Sequence, residues 1–244
     1  MTLEHAYYVD AIRREGAELV RAARAAGVGA SIASCPGWTI ADLLAHVGRL
    51  HHWVASIVEA RPADPAAHWS KIVPPEGAEL VGYEEQGYAR LADALEAAGP
   101  DEPAWTWTPD KTTGFWARRQ AHELAVHRWD AQSALGAPTP IERVLAVDGI
   151  QEVYDILPAR PRAEPITGSG ETIHLHCTDG DGEWLVSLDP DGVHVTNEHA
   201  KGDVAARGTA SDLLLLVWGR VPPDAVEVFG DASLLARWQE LARF

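Results

Sequence analysis

The sequence predicts an α+β protein in which an N-terminal four-helix bundle precedes a smaller α+β domain with an antiparallel sheet. Four long segments with apolar residues at helical spacing occupy the first 136 residues of the 244-residue chain. After residue 170 the apolar period falls to two, which is typical of strands. We therefore assign residues 1–140 to the bundle and residues 141–244 to the C-terminal domain.

The four bundle helices are predicted from their apolar spacing and from their ends. The second helix has the clearest start, because Thr39 is a favourable N-cap and Asp42 completes an acidic form of the capping box. This helix ends near Arg61, and a polar link with several prolines follows. A glycine stops each of the other three helices. The predicted ranges are about 3–26, 39–61, 79–98 and 115–135.

The C-terminal domain is predicted to begin with a helix over residues 141–157 and to continue with short strands. The segments TIHLHCT, EWLVSLD and GVHVTNE alternate apolar and polar residues, and the turns DGDGE and DPDG between them favour antiparallel pairing. DVAARG and residues 226–229 predict two further strands. Ser211 is predicted to cap the helix SDLLLLVWG, and ASLLARWQELARF is predicted to form the closing helix.

The composition argues against several classes of protein. A formal net charge of −16 disfavours a nucleic-acid backbone or an anionic membrane surface as a partner. The longest apolar run, LLLLVW, is far shorter than the ~20 residues of a membrane-spanning helix, and no segment resembles a signal peptide. Two cysteines are too few for a disulfide scaffold. We therefore expect a cytoplasmic protein, and the sequence indicates no particular oligomeric state.

Two of the bundle helices carry residue types that bind metals. Glu123 and His127 on the fourth helix are four residues apart, so their side chains share one face. His46 on the second helix falls among the apolar residues expected to face the bundle. Two imidazoles and one carboxylate leave an open position on a zinc-like ion, as in catalytic zinc sites. The spacing therefore predicts His46, Glu123 and His127 as a set of metal ligands.

Several neighbouring residues are of types that could belong to the same site. His122 points ~140° away from His127 on a helix, so HELAVH is not a zincin motif. His51 is the second choice of ligand on the second helix. Asp130 and Asp42 are candidates to hold the ligand histidine rings, with a helix-start role favoured for Asp42. From the residues alone, an ordinary Glu–His ion pair and a buried, hydrogen-bonded histidine remain alternatives.

A second pair of histidines occurs in the predicted sheet. His174 and His176 are two residues apart, so they share one face of the strand TIHLHCT. No third ligand is evident nearby in the sequence. We therefore interpret them as a solvent-facing or cross-strand pair rather than as a metal site.

The ligand-bearing segments together resemble a known family. CPGWTIADLLAHVGRLHHW, followed at a distance by AHELAVHRWDAQSALG, resembles the mycothiol-dependent maleylpyruvate isomerase family, part of the DinB-like metal-binding four-helix bundles. SDLLLLVWGR and GDASLLARWQELARF resemble the C-terminal α+β domain of that family. The resemblance implies a DinB-like bundle that holds Zn²⁺ or another divalent metal through His46, Glu123 and His127.

The resemblance also implies a cofactor and a reaction. Mycothiol would bind the metal through sulfur, lose its proton and add to a small electrophile, in a cis–trans isomerisation or an S-transfer. The partners are then a small thiol and a small electrophilic substrate. A substrate carboxylate would need a cation, and Arg220 is the first candidate for this catalytic role, with further options at Arg49, Arg118, Arg119 and Arg128. The alternatives are a metal-dependent hydrolase that uses a zinc-bound hydroxide and a non-enzymatic stress protein that binds metal or thiol.

Overall fold

The computed structural model describes residues 2–160 and 164–242. The chain divides into two compact units, of which the first ends at Thr139 and the second begins at Pro140. The first unit is helical, and the second combines helices with a five-stranded sheet. The predicted α+β class, with a helical region before a sheet domain, is confirmed.

The first unit contains five helices within the described residues: α1 (His5–Ala26), α2 (Ile40–Ala60), α3 (Pro65–Trp69), α4 (Glu79–Ala98) and α5 (Thr113–Ser133). Helices α1 and α2 each pack against both α4 and α5, which gives the predicted four-helix bundle. The start of α2 has the predicted capping box. The Thr39 hydroxyl accepts from the Asp42 N–H at 3.4 Å, and the Asp42 carboxylate accepts from the Thr39 N–H at 2.8 Å.

The short helix α3 lies where the sequence predicts a link without secondary structure. Asp64 caps α3 by accepting from the Ala67 N–H at 2.9 Å, and Pro65 occupies the first helical position. Five residues show too little apolar periodicity to be distinguished from a polar connection. The prediction was therefore wrong for this segment, although its N-terminal signals were present.

Two glycines allow close contacts with α4. A Cβ atom built at Gly16 of α1 would lie 2.5 Å from Cγ of Tyr88, and one at Gly48 of α2 would lie 2.7 Å from Cδ1 of Tyr83. Both distances are shorter than van der Waals contact. The two tyrosine rings therefore occupy the space that a larger side chain would need.

The second unit contains α6 (Arg143–Ile156), β1 (Glu171–Cys177), β2 (Glu183–Asp189), β3 (Gly192–Thr196), β4 (Val204–Gly208), α7 (Ala210–Val217), β5 (Glu227–Gly230) and α8 (Ala232–Ala242). The strand order is β3-β2-β1-β4-β5. The β1–β2, β2–β3 and β4–β5 pairs are antiparallel, but β1 and β4 are parallel. The sheet is therefore mixed, which corrects the prediction of an antiparallel sheet. Residues 243–244 of the predicted closing helix lie outside the described residues.

The cap of α7 differs from the prediction. Thr209 caps this helix by accepting from the Asp212 N–H at 3.2 Å, while the Ser211 hydroxyl accepts from the N–H of Ile141 at 2.9 Å. An N-cap residue needs an extended backbone, and Thr209 has it, whereas Ser211 is already helical.

In the described part of the chain, we find no helix that is both long and apolar enough to cross a membrane.

Candidate metal centre

The structure brings the three predicted ligand residues together between α2 and α5. Nε2 of His127 lies 3.3 Å from Oε1 of Glu123, and Nε2 of His46 lies 3.5 Å from the same oxygen. One donor atom from each residue lies within 4.8 Å of the other two. The two imidazole rings meet edge to face, with centroids 5.3 Å apart. Three donor atoms of the predicted types therefore face one small volume.

The charge of Glu123 is maintained by an arginine one helical turn before it. Oε2 of Glu123 accepts from Nη2 of Arg119, which leaves Oε1 for the two histidines. Burial alone would raise the pKa of Glu123, but the charge of Arg119 and the hydrogen bonds from His127 and His46 hold it well below its usual value. Arg119 was one option for binding a substrate carboxylate, and in the structure it pairs with Glu123 instead.

The ring of His127 is oriented by a buried carboxylate. Nδ1 of His127 lies 3.0 Å from Oδ2 of Asp130, and the other oxygen of Asp130 accepts from the hydroxyl of Ser34 at 2.6 Å. An ionised Asp130 holds a ring proton on Nδ1, so Nε2 is the nitrogen that faces Glu123. Nε2 donates to Oε1 of Glu123 while the ring is protonated, and its lone pair can bind an ion once that proton is lost. Burial lowers the pKa of His127, but hydrogen bonds with Asp130 and Glu123 raise it overall.

The site is accessible on the side of His46. The His46 side chain is 37% exposed, whereas those of Glu123 and His127 are 12% and 4% exposed. The ring of Trp38 meets the His46 ring edge to face at 5.3 Å between centroids. Asp42 does not hold this histidine, because both of its interactions with Thr39 serve the start of α2, as favoured from the sequence.

The other histidines considered for the site do not join it. The ring of His122 is fully buried and packs edge to face against Tyr8, at 5.9 Å between centroids. His51, the second choice on α2, is also fully buried, and its Nδ1 lies 3.0 Å from Oε2 of Glu84. The structure therefore places His122 and His51 away from the group formed by His46, Glu123 and His127.

The remaining arginines considered for a substrate carboxylate have different settings. The guanidinium of Arg128 pairs with Glu15 inside the bundle at 2.8 Å, and that of Arg49 lies 4.1 Å from the centre of the Trp69 ring. Arg220 follows α7 in the second unit. Its Nη1 donates to the carbonyl of Trp218 at 3.1 Å, and the side chain is half-buried. The catalytic role of Arg220 stays a prediction.

The donors present fit a divalent transition-metal ion. Two neutral imidazoles and one carboxylate form a three-ligand set that zinc accepts while keeping a position for an exogenous ligand. The supporting carboxylate that usually holds a metal-binding histidine is also present, as Asp130. The sequence predicted that His46, Glu123 and His127 meet and that Asp130 is close to the ring of His127, but it did not indicate the contacts of Arg119 and Ser34.

Comparison with known proteins follows the same two units. The family model described as the mycothiol maleylpyruvate isomerase N-terminal domain matches residues 9–132, and that of the C-terminal domain of the same isomerases matches residues 144–237. A crystal structure of the mycothiol-dependent maleylpyruvate isomerase is similar to this chain with a TM-score of 0.63 and 17% identity. A histidine-to-alanine variant of that isomerase gives 0.66 and 15%. Each of these two structural matches covers 93% of this chain and 95% of the matched chain. At these identities, the two matches show the fold alone. Comparison with curated protein sequences gives no match.

Proposed function

We propose, given that this chain belongs to the mycothiol maleylpyruvate isomerase family, that it is a metal-dependent enzyme that activates mycothiol for addition to a small electrophile. Rotation about the former double bond and expulsion of the same thiolate would give a cis–trans isomerisation, whereas expulsion of another leaving group from the adduct would give an S-transfer. The observation that carries the proposal is the approach of His46, Glu123 and His127 to one small volume that is open to solvent on one side.

The three side chains would hold a divalent ion such as Zn²⁺, the histidines through Nε2 and Glu123 through Oε1. Such an ion lowers the pKa of a thiol in its open position, so that the thiolate forms at neutral pH and can attack an electrophilic double bond. This chemistry does not require a cysteine of the chain. It is consistent with Cys177 being buried, because burial raises the pKa of that thiol to about 11.

The remaining residues of the site prepare the ligands. Asp130 holds a proton of His127 on Nδ1, so Nε2 is the nitrogen that would bind the ion in place of its own proton. Arg119 keeps Glu123 ionised and occupies its second oxygen, so only one oxygen faces the histidines. Arg220 would bind a carboxylate of the substrate, and we expect Arg220→Gln to raise KM for a carboxylate substrate more than it lowers kcat.

The proposal is tested by measuring the metal content of the purified full chain and by titrating its Co²⁺-substituted form with mycothiol. A sulfur-to-cobalt charge-transfer band together with turnover of a maleylpyruvate-like electrophile supports the proposal. Ester hydrolysis without any thiol, and without that band, would support a hydrolase instead. Binding of metal and mycothiol without turnover of electrophiles would support a binding protein.

The ligand assignment is tested with two histidines of the same helix. His46→Ala is expected to lose the ion of the bundle site, as is His127→Ala on α5. His52→Ala is the matched control, because His52 is on α2 but stacks on Tyr83, with ring centroids 4.3 Å apart. Full metal stoichiometry in His127→Ala would show that the ligand assignment is wrong.

A further inference from the structure

A second cluster of metal-binding side chains lies on the sheet of the C-terminal unit. His174 and His176 are two residues apart on β1 and share one face of the strand. Glu183 of β2 is directly opposite His176 in the antiparallel register. His199 comes from the connection between β3 and β4. One donor atom from each of the four lies within 4.8 Å of the others. The structure therefore places two further candidate ligands, Glu183 and His199, beside a pair for which the sequence showed no third ligand.

The carboxylate of Glu183 is at the centre of this cluster. Its Oε1 lies 2.5 Å from Nδ1 of His176 and 2.9 Å from Nδ1 of His199, and its Oε2 lies 3.1 Å from the latter nitrogen. The three imidazole rings surround it, with centroids 5.4 to 6.1 Å apart. Three neutral imidazoles and one carboxylate are all ligands that zinc prefers.

One member of the cluster has a polar atom that its surroundings do not satisfy. His174 is 6% exposed, and its Nε2 has no hydrogen-bond partner among the residues that the structure describes. This nitrogen lies 4.0 Å from Oε2 of Glu183, too far for a hydrogen bond. A buried nitrogen without a partner destabilises the fold, and an ion bound beside Glu183 would supply the missing partner.

The cluster also has a route to solvent. His174 and His199 line a cavity of about 360 Å³, together with residues of the β3–β4 connection and of β5. The side chain of His199 is 78% exposed, while those of His176 and Glu183 are 28% and 24% exposed. An ion can therefore reach the buried nitrogen of His174 without opening the sheet.

We propose that His174, His176, Glu183 and His199 form a second zinc site, separate from the one in the bundle. Four protein ligands complete a tetrahedral shell, which is the arrangement of structural rather than catalytic zinc. The ion would fasten the connection that contains His199 to strands β1 and β2. This connection leads into β4, the strand that pairs in parallel with β1.

The test uses the full chain with either candidate site disabled. The variant His46→Ala/His127→Ala removes the bundle ligands, and His176→Ala/His199→Ala removes two ligands of the sheet cluster at its more exposed positions. After gel filtration in metal-free buffer, the bundle variant is expected to retain about one zinc per chain, and its Co²⁺ form to show the visible bands of a tetrahedral ion. Adding the sheet substitutions should abolish both the retained zinc and the visible Co²⁺ bands. It should weaken zinc binding by more than ~100-fold.

This result separates the second site from the proposed function. If the bundle does not bind metal, the unmodified chain still holds about one zinc, which is lost only with His176 and His199. His194→Ala is the control, because His194 lies on β3 beside Asp191 and outside the cluster. A bundle variant that retains no zinc would overturn the proposal, as would zinc loss that follows His194. Circular dichroism of each variant verifies that the sheet has folded.

Discussion

Asp130→Asn tests how the bundle site prepares its histidine. Asn has the shape of Asp but no charge, and Asp130 is fully buried between Nδ1 of His127 and the hydroxyl of Ser34. With Asn, the amide can present either its NH₂ group or its oxygen to His127. The first choice moves the ring proton to Nε2, the atom required for metal binding, and the second only weakens the hydrogen bond.

The expected loss of zinc affinity follows from this geometry. Removing the hydrogen-bond partner of a ligating histidine typically costs ~10–100-fold in metal affinity, equivalent to about 1.4–2.8 kcal/mol. Oδ2 of Asp130 lies 3.0 Å from Nδ1 of His127, and both side chains are buried, so we expect the upper half of that range. The metal-free variant should also unfold more easily by about 1.5–3 kcal/mol, because a charge-assisted hydrogen bond is lost.

The assay is a competition titration of zinc against a chromophoric chelator at neutral pH, with a urea unfolding curve of the metal-free protein measured in parallel. Ser34→Ala is the matched control. It removes a hydrogen bond to Oδ1 of Asp130 but leaves Oδ2 on His127, so its zinc affinity should fall less than tenfold. Wild-type zinc affinity in Asp130→Asn, with an unchanged unfolding curve, would refute the orienting role of Asp130.

Three further predictions address stability and reactivity. Gly16→Ala should destabilise the bundle by up to about 2 kcal/mol, because overpacking against Tyr88 costs ~1–3 kcal/mol and the better helix propensity of alanine returns only ~1 kcal/mol; a urea curve with a higher midpoint would contradict this. Glu171 has a pKa of about 2, lowered by backbone N–H groups first, so its contribution to stability is complete above its usual 4.5 and is lost as the pH falls towards 2. Thermal unfolding should therefore show Glu171→Gln less stable than the wild type at pH 7, with the difference disappearing near pH 2. A thiol reagent at pH 7.5 should label Cys35 of the native chain and leave Cys177 unmodified until the protein is unfolded, since burial raises the pKa of Cys177 to about 11.

Features that depend on neighbouring residues in the sequence could be predicted. The pairing of Thr39 with Asp42 and the shared face of Glu123 and His127 both follow from helical geometry over three or four residues. The approach of His46 to that pair needed only an apolar stripe to orient its helix. These local rules account for most of the bundle and for the grouping of His46, Glu123 and His127.

Features that depend on distant partners could not be predicted. The sequence around Ser211 is typical of a helix cap, but in the structure the Ser211 hydroxyl accepts from the N–H of Ile141, which is 70 residues earlier in the chain. The parallel pairing of β1 with β4 leaves no mark on the apolar period of either strand, because that period is two in both pairing directions. For the same reason, the position of Glu183 opposite His176 emerges only when the register of the two strands is known.

The ion pair between Arg128 and Glu15 has a consequence for the alignment of α5. Both side chains are buried, and Nε of the arginine lies 2.8 Å from the carboxylate on α1. A slide of α5 by one turn, ~5.4 Å, would separate the pair and leave two opposite charges unpaired inside the protein, at a cost of about 3–5 kcal/mol. The pair thus helps to fix the height of α5 along α1. His127, the residue before Arg128, is held at that height as well.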